Sequence, residues 1–341
     1  MSKHLLIVAL ALLCAVAQAK TAVRKTAAKP AARKTATAPA SAPVQTPHRR
    51  SPYVGAVSAD VKTGKVLFSS NADAEAYPAS VTKLMTLLLV LEDVKAGRYA
   101  LTTPVTATAD VYRSEPSWVG IKAGEKMSVR DLCAALMVES ANDAAIVLGV
   151  HSAGSFDAFI ARMNARAAEL GMKNTKYHNP NGLPPNSGKR YPWKSFNVST
   201  ARDQMILARA LVTNPEVLKL TSIKTCDLVK TADGYRVAVT RRTNEPTVET
   251  QPAEGEKIVK QLRNHNNVMR TDKLKIINPD GKEAVDGLKT GYIDAGGSSI
   301  VLTGTRKGKR AIVVVLGSSS AKERDAQAQR LMNDALGSLA W

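Results

Sequence analysis

A serine and a lysine that could act as nucleophile and base lie three residues apart in the segment YPASVTKLMT, residues 77–86. Pro78 and the apolar run at 87–91 predict that Ser80 and Lys83 lie in the first turn of a buried helix. Three residues are close to one turn, so the hydroxyl and the amine share a helix face within reach of each other. Burial and a neighbouring cation lower the pKa of a lysine, which lets its amine take the serine proton. The segment therefore predicts a covalent nucleophile, with helix N–H groups available to an oxyanion.

Ser80 and Lys83 could instead be a capping serine followed by a solvated lysine. Two further segments help to decide between this interpretation and a catalytic pair. S-A-N at 140–142 falls in a break between two apolar helical stretches, and K-T-G at 289–291 falls in a strand pattern. In this order the three segments resemble the S-x-x-K, S-D-N and K-T-G set of penicillin-binding proteins and class A β-lactamases, with Ala141 in the middle of the second motif. The agreement of all three favours catalysis.

The residue types in these motifs are those that acyl transfer to a serine requires. Ser80 would attack a carbonyl carbon while Lys83 takes its proton, and Ser140 would relay a proton to the leaving group. Asn142 would hold a substrate amide and Lys83. Lys289 would add a second positive charge, which keeps Lys83 neutral and attracts a substrate carboxylate.

The rest of the third motif fits the binding of an extended peptide. Thr290 can hydrogen-bond the substrate carboxylate, and Gly291, which has no side chain, lets the substrate lie along the strand as an added β-strand. We expect no metal ion and no other cofactor. The histidines lack ligand spacing, and a serine mechanism needs no metal.

Taken together, the motifs resemble the D-alanyl-D-alanine carboxypeptidase family of low-molecular-mass penicillin-binding proteins. The resemblance runs from about Tyr53 to the C-terminus, and its segments are PASVTKLMT (78–86), ESANDAA (139–145), NPNGL (179–183), STARD (199–203), NHN (264–266) and VDGLKTGY (285–292). It implies a β-lactamase/penicillin-binding transpeptidase-like α/β fold. It also implies a periplasmic serine peptidase that removes the terminal D-alanine from peptidoglycan stem peptides and is acylated by penicillin and other β-lactams. Finally, it implies that the backbone N–H groups of Ser80 and Tyr292 form the oxyanion hole.

Three other functions stay open. The chain stops soon after the last predicted helix, as in the shorter family members that cleave D,D-cross-links as endopeptidases. A serine β-lactamase would share the fold. However, class A enzymes deacylate with a glutamate on a loop before the K-T-G strand, and no motif here supplies one, which predicts a long-lived penicillin adduct. An inactive peptidoglycan-binding protein would leave the three intact motifs unexplained. Residues 184–196 and 231–260 look long for the family, so the resemblance implies no substrate contacts there.

The N-terminus predicts export from the cytoplasm. Lys3, an apolar run from Leu5 to Val16 and A-Q-A at 17–19 together indicate a signal peptide that is cleaved after Ala19. The apolar run is too short to span a membrane. We therefore expect a periplasmic protein.

Residues 20–50 predict a disordered linker. The formal net charge of the chain is +19, and much of it lies in this segment of Ala, Lys, Arg, Pro and Thr. It has too few large apolar residues to offset its chain entropy. We expect no nucleic-acid partner, because no zinc spacing, RNP-like stretch or recognition helix accompanies the charge. Weak contact with an anionic membrane or an acidic wall polymer, or simple solvation, fits better.

Strands at both ends of residues 51–341 are predicted to position the motifs. Two β-rich runs at 53–61 and 65–69 are separated by a short turn at 62–64, which predicts a hairpin. Three further strands are expected at 285–292, 298–303 and 311–316, the last of them apolar enough to be central. We predict one α/β catalytic domain, with a sheet from N- and C-terminal strands, a helical cluster between them, and the K-T-G motif on an inner strand.

Helices are expected to carry the other two motifs and to cover the sheet. Capping and apolar spacing predict helices at 128–138, 156–170, 199–211 and 321–336, besides the one that carries Ser80. Residues 119–122 are expected to be extended, and strands with a mobile excursion are expected between 221 and 260.

Three remaining polar residues have predicted structural roles. Asp143, next to Asn142, is interpreted as a structural or capping residue and not as a catalytic one. Cys133 and Cys226 are predicted to be unpaired and buried. A disulfide between them in an oxidising compartment is the alternative.

Overall fold

The computed structural model describes residues 48–108, 116–185 and 195–340. The predicted signal peptide, most of the predicted linker and residues 186–194 lie outside the described residues. The first described residues lie against the main body. The backbone N–H of Arg50 donates to the carbonyl of Gly317 at 2.8 Å, and the ring of His48 stacks on Tyr77 at 4.0 Å. These contacts begin before residue 51, where we placed the start of the catalytic domain.

One antiparallel sheet joins the two ends of the described chain. Its strands are β1 (Gly55–Asp60), β2 (Val66–Ser70), β8 (Val285–Ile293), β9 (Gly297–Arg306) and β10 (Lys309–Ser318). Their order is β2-β1-β10-β9-β8. The predicted hairpin and the central position of the last strand are therefore confirmed. The prediction that K-T-G lies on an inner strand is wrong, because β8 is at the edge of the sheet.

Side chains of β10 alternate between two separate cores. Ile312 and Val314 pack into the helical cluster on one face, whereas Val313 and Val315 pack with α8 (Ala321–Leu339) on the other. Successive residues of a strand point to opposite faces, so a sheet that is covered on both sides needs a continuous apolar strand. The apolar run at 311–316 meets this requirement.

The remaining helices include those predicted at 128–138, 156–170 and 199–211. They are α1 (Lys83–Lys95), α2 (Val129–Val138), α3 (Asn142–Ala153), α4 (Phe156–Glu169), α5 (Ala201–Leu211), α6 (Pro215–Thr221) and α7 (Asn267–Arg270). The side chains of Ser128 and Thr200 accept backbone N–H groups at the starts of α2 and α5. Such caps satisfy donors that have no partner within the helix. Within the described ranges no single helix could cross a membrane by length and apolar content, although α3 and α4 pass that test as a pair bent by 85°.

Two smaller sheets complete the body. β5 (Ile223–Lys230), β6 (Tyr235–Arg242) and β7 (Lys257–Arg263) form a sheet in the order β6-β5-β7, and β3 (Pro104–Thr106) pairs with β4 (Lys126–Ser128). The strands expected between 221 and 260 are thus present. Residues 119–122 form no strand, and α6, α7 and β4 were not predicted.

The two cysteines match the prediction of buried, unpaired thiols. Cys133 lies in α2 and Cys226 in β5, and both are free and buried. Burial raises the pKa of each thiol to about 12. A buried thiol with a raised pKa is a poor nucleophile, so these residues act as small core side chains.

Candidate active site

Ser80 and Lys83 are held at the junction of a short 3₁₀ turn and α1. The turn spans Ala79–Thr82, and Lys83 is the first residue of the helix. The Lys83 Nζ lies 2.8 Å from the Ser80 Oγ, and the lysine side chain is fully buried. Ala79 has a φ of 49°, a left-handed conformation that costs about 1–3 kcal/mol in a non-glycine residue. Such strain is typical of functional sites.

The Lys83 amine contacts three oxygen atoms. Besides Ser80 Oγ, they are Asn142 Oδ1 and the backbone carbonyl of Asn181, each at 2.7 Å. Burial lowers the pKa of Lys83 well below its ordinary value, the charge of Lys289 lowers it further, and Asp143 acts in the opposite direction. A neutral amine has two N–H donors and one lone pair. In this neutral form the two carbonyl oxygens accept both N–H groups, so the lone pair would face the Ser80 hydroxyl.

The S-A-N motif forms the loop between α2 and α3. Ser140 has a φ of 61° and is 2% exposed. Its Oγ makes no hydrogen bond within the described part of the chain. Asn142 is the first residue of α3 and points its amide oxygen at Lys83. A buried hydroxyl without a partner is rare in a native structure and fits a group that meets a substrate.

Asp143 holds a neighbouring segment in place. Its carboxylate accepts the backbone N–H groups of Val119, Gly120 and Ile121, the shortest at 2.8 Å from Gly120. These bonds explain why residues 119–122 are not paired in a strand. The structural interpretation of Asp143 is confirmed.

The K-T-G motif brings the edge of the sheet against the nucleophile turn. Lys289 is 2% exposed, and its amine donates to the Thr290 carbonyl at 3.1 Å. A Cβ at Gly291 would lie 2.6 Å from the Pro78 carbonyl oxygen and 3.0 Å from the Ser80 nitrogen. Only glycine therefore permits this approach. The next residue, Tyr292, is 54% exposed and donates its hydroxyl to Asp294 at 2.6 Å.

A loop that we did not assign to the site closes the other side of the turn. In the loop at 178–183, Gly182 lies so near the turn that a Cβ would be 1.9 Å from the Ala79 carbonyl oxygen. The same loop supplies the Asn181 carbonyl to Lys83. The N-P-N-G-L segment is one of the family motifs, but a main-chain acceptor leaves no signal in the residue type.

Two further residues, Arg324 and His265, are coupled electrostatically to the lysines of the site. Burial lowers the pKa of Lys289 to about 7, and the charge of Arg324, a buried residue on α8, adds to the shift. Burial and the charge of Lys289 lower the pKa of His265 to about 4, which leaves this ring neutral at pH 7. We did not predict either role, because the position of α8 relative to β8 is not encoded in a local pattern. Among the described residues no three His, Cys, Asp or Glu side chains lie together as metal ligands could.

The three motifs, which are far apart in the sequence, therefore line one cleft. A serine and a lysine at a helix start, a serine-asparagine loop and a lysine-bearing edge strand, carried by this mixed α/β scaffold, define the penicillin-binding, β-lactamase-like fold. Residues 46–320 match the family described as D-alanyl-D-alanine carboxypeptidase, and the chain belongs to this family. The resemblance inferred from the motifs is confirmed.

Individual relatives agree with the family. The chain is 28% identical over 278 residues to the D-alanyl-D-alanine carboxypeptidase DacF of Bacillus subtilis, covering 82% of this chain and 60% of that protein. It is 30% identical over 280 residues to DacC of Escherichia coli, covering 80% and 58%. The chain thus spans about three fifths of the length of these curated relatives.

Solved structures share the fold. The D-alanyl-D-alanine carboxypeptidase DacD of Francisella tularensis superposes with a TM-score of 0.69 at 29% identity, covering 88% of this chain and 74% of that one. Penicillin-binding protein D2 of Listeria monocytogenes, in its ampicillin-bound form, gives 0.63 at 29% identity and covers 83% and 97%. The predicted fold class is confirmed.

Proposed function

We propose that this protein is a serine-type D-Ala-D-Ala carboxypeptidase that acts on peptidoglycan stem peptides through an acyl-enzyme and is acylated by β-lactams. One observation carries the proposal. The buried amine of Lys83 lies between the Ser80 hydroxyl and two carbonyl acceptors, beside the lysine of the edge strand. Membership of the carboxypeptidase family supports the same reaction.

Acylation begins at the serine. The Ser80 Oγ attacks the carbonyl carbon of the penultimate D-alanine, and its proton passes to the Lys83 lone pair. Backbone N–H groups of Ser80 and Tyr292 stabilise the oxyanion. The C–N bond then breaks, and the leaving D-alanine nitrogen receives the proton through Ser140. Water hydrolyses the ester and regenerates the hydroxyl.

The substrate lies along β8. An edge strand has backbone N–H and C=O groups on its outer side that an extended peptide can pair with. Asn142 holds a substrate amide, and Gly291 leaves room beside the strand. Lys289 and Thr290 bind the terminal carboxylate, in the field of Arg324. A carboxylate next to the scissile bond is therefore the group that this end of the site would bind.

A D,D-endopeptidase is the second candidate. The chain is 37% identical over 157 residues, 46% of each protein, to the D-alanyl-D-alanine endopeptidase of Pseudomonas aeruginosa. Both reactions use the same acyl-enzyme and differ in the leaving amine. That amine belongs to a free D-alanine in one case and to a cross-linked peptide in the other.

The same proposal includes the parts of the chain outside the described residues. Residues 1–19 serve as a signal peptide for delivery to the periplasm, and the catalytic domain occupies about 51–341. The basic linker at 20–50 makes weak contact with an anionic membrane or wall polymer. No nucleic acid, metal or cofactor takes part.

Purified peptidoglycan fragments test the proposal. The wild type should release free D-alanine from stem peptides that end in D-Ala-D-Ala, as measured by mass spectrometry, and leave cross-linked fragments intact. Conversion of cross-linked fragments to monomers would instead establish the endopeptidase. The Ser80→Ala variant should be inactive and should not bind fluorescent penicillin covalently. Labelling or cleavage by this variant would reject Ser80 as the nucleophile.

A further inference from the structure

Asn197 connects the loop at 178–183 to the nucleophile turn. It is 3% exposed, and both ends of its amide are used. Its Oδ1 accepts the backbone N–H groups of His178 at 2.6 Å and Asn179 at 3.1 Å. Its Nδ2 donates to the Asn179 carbonyl and to the Thr82 hydroxyl, each at 3.0 Å. Asn197 is 115 residues from Thr82 in the sequence, yet it bonds directly to the neighbour of Lys83.

The loop itself is folded tightly around Asn179. The side-chain oxygen of Asn179 accepts the N–H of Gly182 at 2.6 Å, and its amide nitrogen donates to the Leu183 carbonyl at 3.0 Å. The Thr86 hydroxyl donates to the Pro180 carbonyl at 2.8 Å, which ties the loop to α1. Since Gly182 already touches the turn, little freedom is left to the Asn181 carbonyl. Its position depends on the bonds that hold the loop.

This carbonyl sets the orientation of the Lys83 amine. Only two N–H donors are present on a neutral amine, and two carbonyl oxygens at 2.7 Å accept them. If the Asn181 carbonyl moved, one N–H would be released and the amine could rotate. The lone pair would then face Ser80 for only part of the time, and attack requires it to face the hydroxyl at that moment.

We propose that Asn197 is a positioning residue for acylation, because it fixes the Asn181 carbonyl and thereby aims the Lys83 lone pair at Ser80. This inference rests on the proposed function. An asparagine with only a structural role would change how much protein folds but not the rate of each folded site. Rate per active site is therefore the quantity that separates the two roles.

The pH profile gives a second, independent readout. The charged groups that act on Lys83 are Lys289 on β8 and Asp143 on α3, with His265 also coupled to it. A carbonyl acceptor stabilises the ammonium form, so its displacement in Asn197→Ala should lower the pKa of Lys83. The acidic limb of the acylation profile would then stay in place or move to lower pH. In Asn197→Asp, a carboxylate held by the N–H groups of His178 and Asn179 would raise this pKa and move the limb to higher pH.

The experiment measures the second-order rate constant of acylation by fluorescent penicillin, per titrated active site, over about pH 5–9, so that an acidic limb can be followed in either direction. Asn197→Ala should react about tenfold or more slowly on the plateau, with the limb shifts described above. Thr82→Val removes only the hydrogen bond between Asn197 and the turn and should reduce the rate less, and Thr82→Ser should restore the rate.

Asn214→Ala is the matched control, because this side chain also accepts a backbone N–H, at the start of α6. It should lower stability and leave the rate per site unchanged.

Several outcomes would overturn the proposal. Wild-type rate and pH profile in Asn197→Ala would show that the asparagine only stabilises the fold. If that variant does not fold, a wild-type rate in Thr82→Val together with an unmoved limb in Asn197→Asp would lead to the same conclusion. Failure of the wild type to acylate at all would reject the proposed function instead, so the two failures are distinguishable.

Discussion

Buried lysines occur in two regions of this molecule with opposite surroundings. In the cleft, Lys83 and Lys289 are buried, and among the described residues neither forms an ion pair with a carboxylate. Beside the small sheet, Lys224 is equally buried, but its amine lies 2.6 Å from the Glu283 Oε1. Burial lowers the pKa of all three, and at Lys224 the carboxylate opposes the shift.

The difference shows what makes a buried lysine reactive. Desolvation disfavours the charged form in both regions, so burial by itself does not distinguish them. A partner of opposite charge restores the charged form at Lys224 and yields a structural ion pair. In the cleft, burial and a neighbouring cation push both lysines towards the neutral form: the cation is Lys289 for Lys83 and Arg324 for Lys289. Buried lysines without a directly bonded carboxylate are typical of a catalytic site.

Removal of the cleft amine should have the largest effect. Lys83→Met keeps the apolar stem but leaves Ser80 without a base, so acylation by fluorescent penicillin should slow by about 10²–10⁴-fold. Circular dichroism should show an unchanged fold. An acylation rate equal to that of the wild type would mean that another group takes the serine proton.

Loss of the second cleft lysine should have an intermediate effect. Lys289→Gln should raise KM for a peptide with a free carboxylate by about 10- to 100-fold, since a hydrogen bond to a charged group contributes about 1.5–3 kcal/mol. It also removes the positive charge that lowers the pKa of Lys83, so the acidic limb of acylation should move to higher pH. An unmoved limb would argue against coupling between the two lysines.

The wild type carries a related pH signature. The pKa of Lys289 is lowered to about 7. The residue therefore loses its charge as pH rises through that value, and KM for the same peptide should rise with it.

Removal of Lys224, the lysine that is paired with a carboxylate, should change stability and not activity. Lys224→Met leaves the Glu283 carboxylate with a more distant partner, Lys275 at 3.4 Å, and should reduce the free energy of unfolding by about 1–3 kcal/mol. Urea denaturation measures this loss, and the double variant with Glu283→Leu should recover part of it. Acylation per active site should not change. A slowed reaction would mean that the two regions are not independent.

Sequence patterns predicted where the helices and strands lie more accurately than which elements are adjacent in the fold. Caps at Ser128 and Thr200 and the apolar run of β10 located helices and a central strand, because these signals are local. β8 was misplaced because its side chains are largely buried, like those of β9, although only one of its edges is paired. Burial of side chains and pairing of the backbone are separate properties, and residue type reports mainly the first.

The same limit applies to the site: reactive side chains can be recognised from the sequence, whereas main-chain contacts and long-range packing cannot. The three motifs carry reactive side chains at fixed spacing, so they were recognised and are found in one cleft. The Asn181 carbonyl is a main-chain atom that every residue possesses. Arg324 depends on how α8 packs across the sheet. Neither contribution has a compositional signature.

The left-handed residues that flank the reacting atoms have a consequence for engineering. Ala79 and Ser140 both hold a backbone conformation that an unconstrained chain avoids, and the surrounding contacts keep them there. Glycine adopts this conformation without a steric penalty, so Ala79→Gly should remove the strain and raise thermal stability. The same substitution would give the backbone of the turn more freedom, so Ser80 would be held less firmly. Selection of this protein for thermal stability alone would therefore favour a substitution at position 79 that works against the proposed reaction.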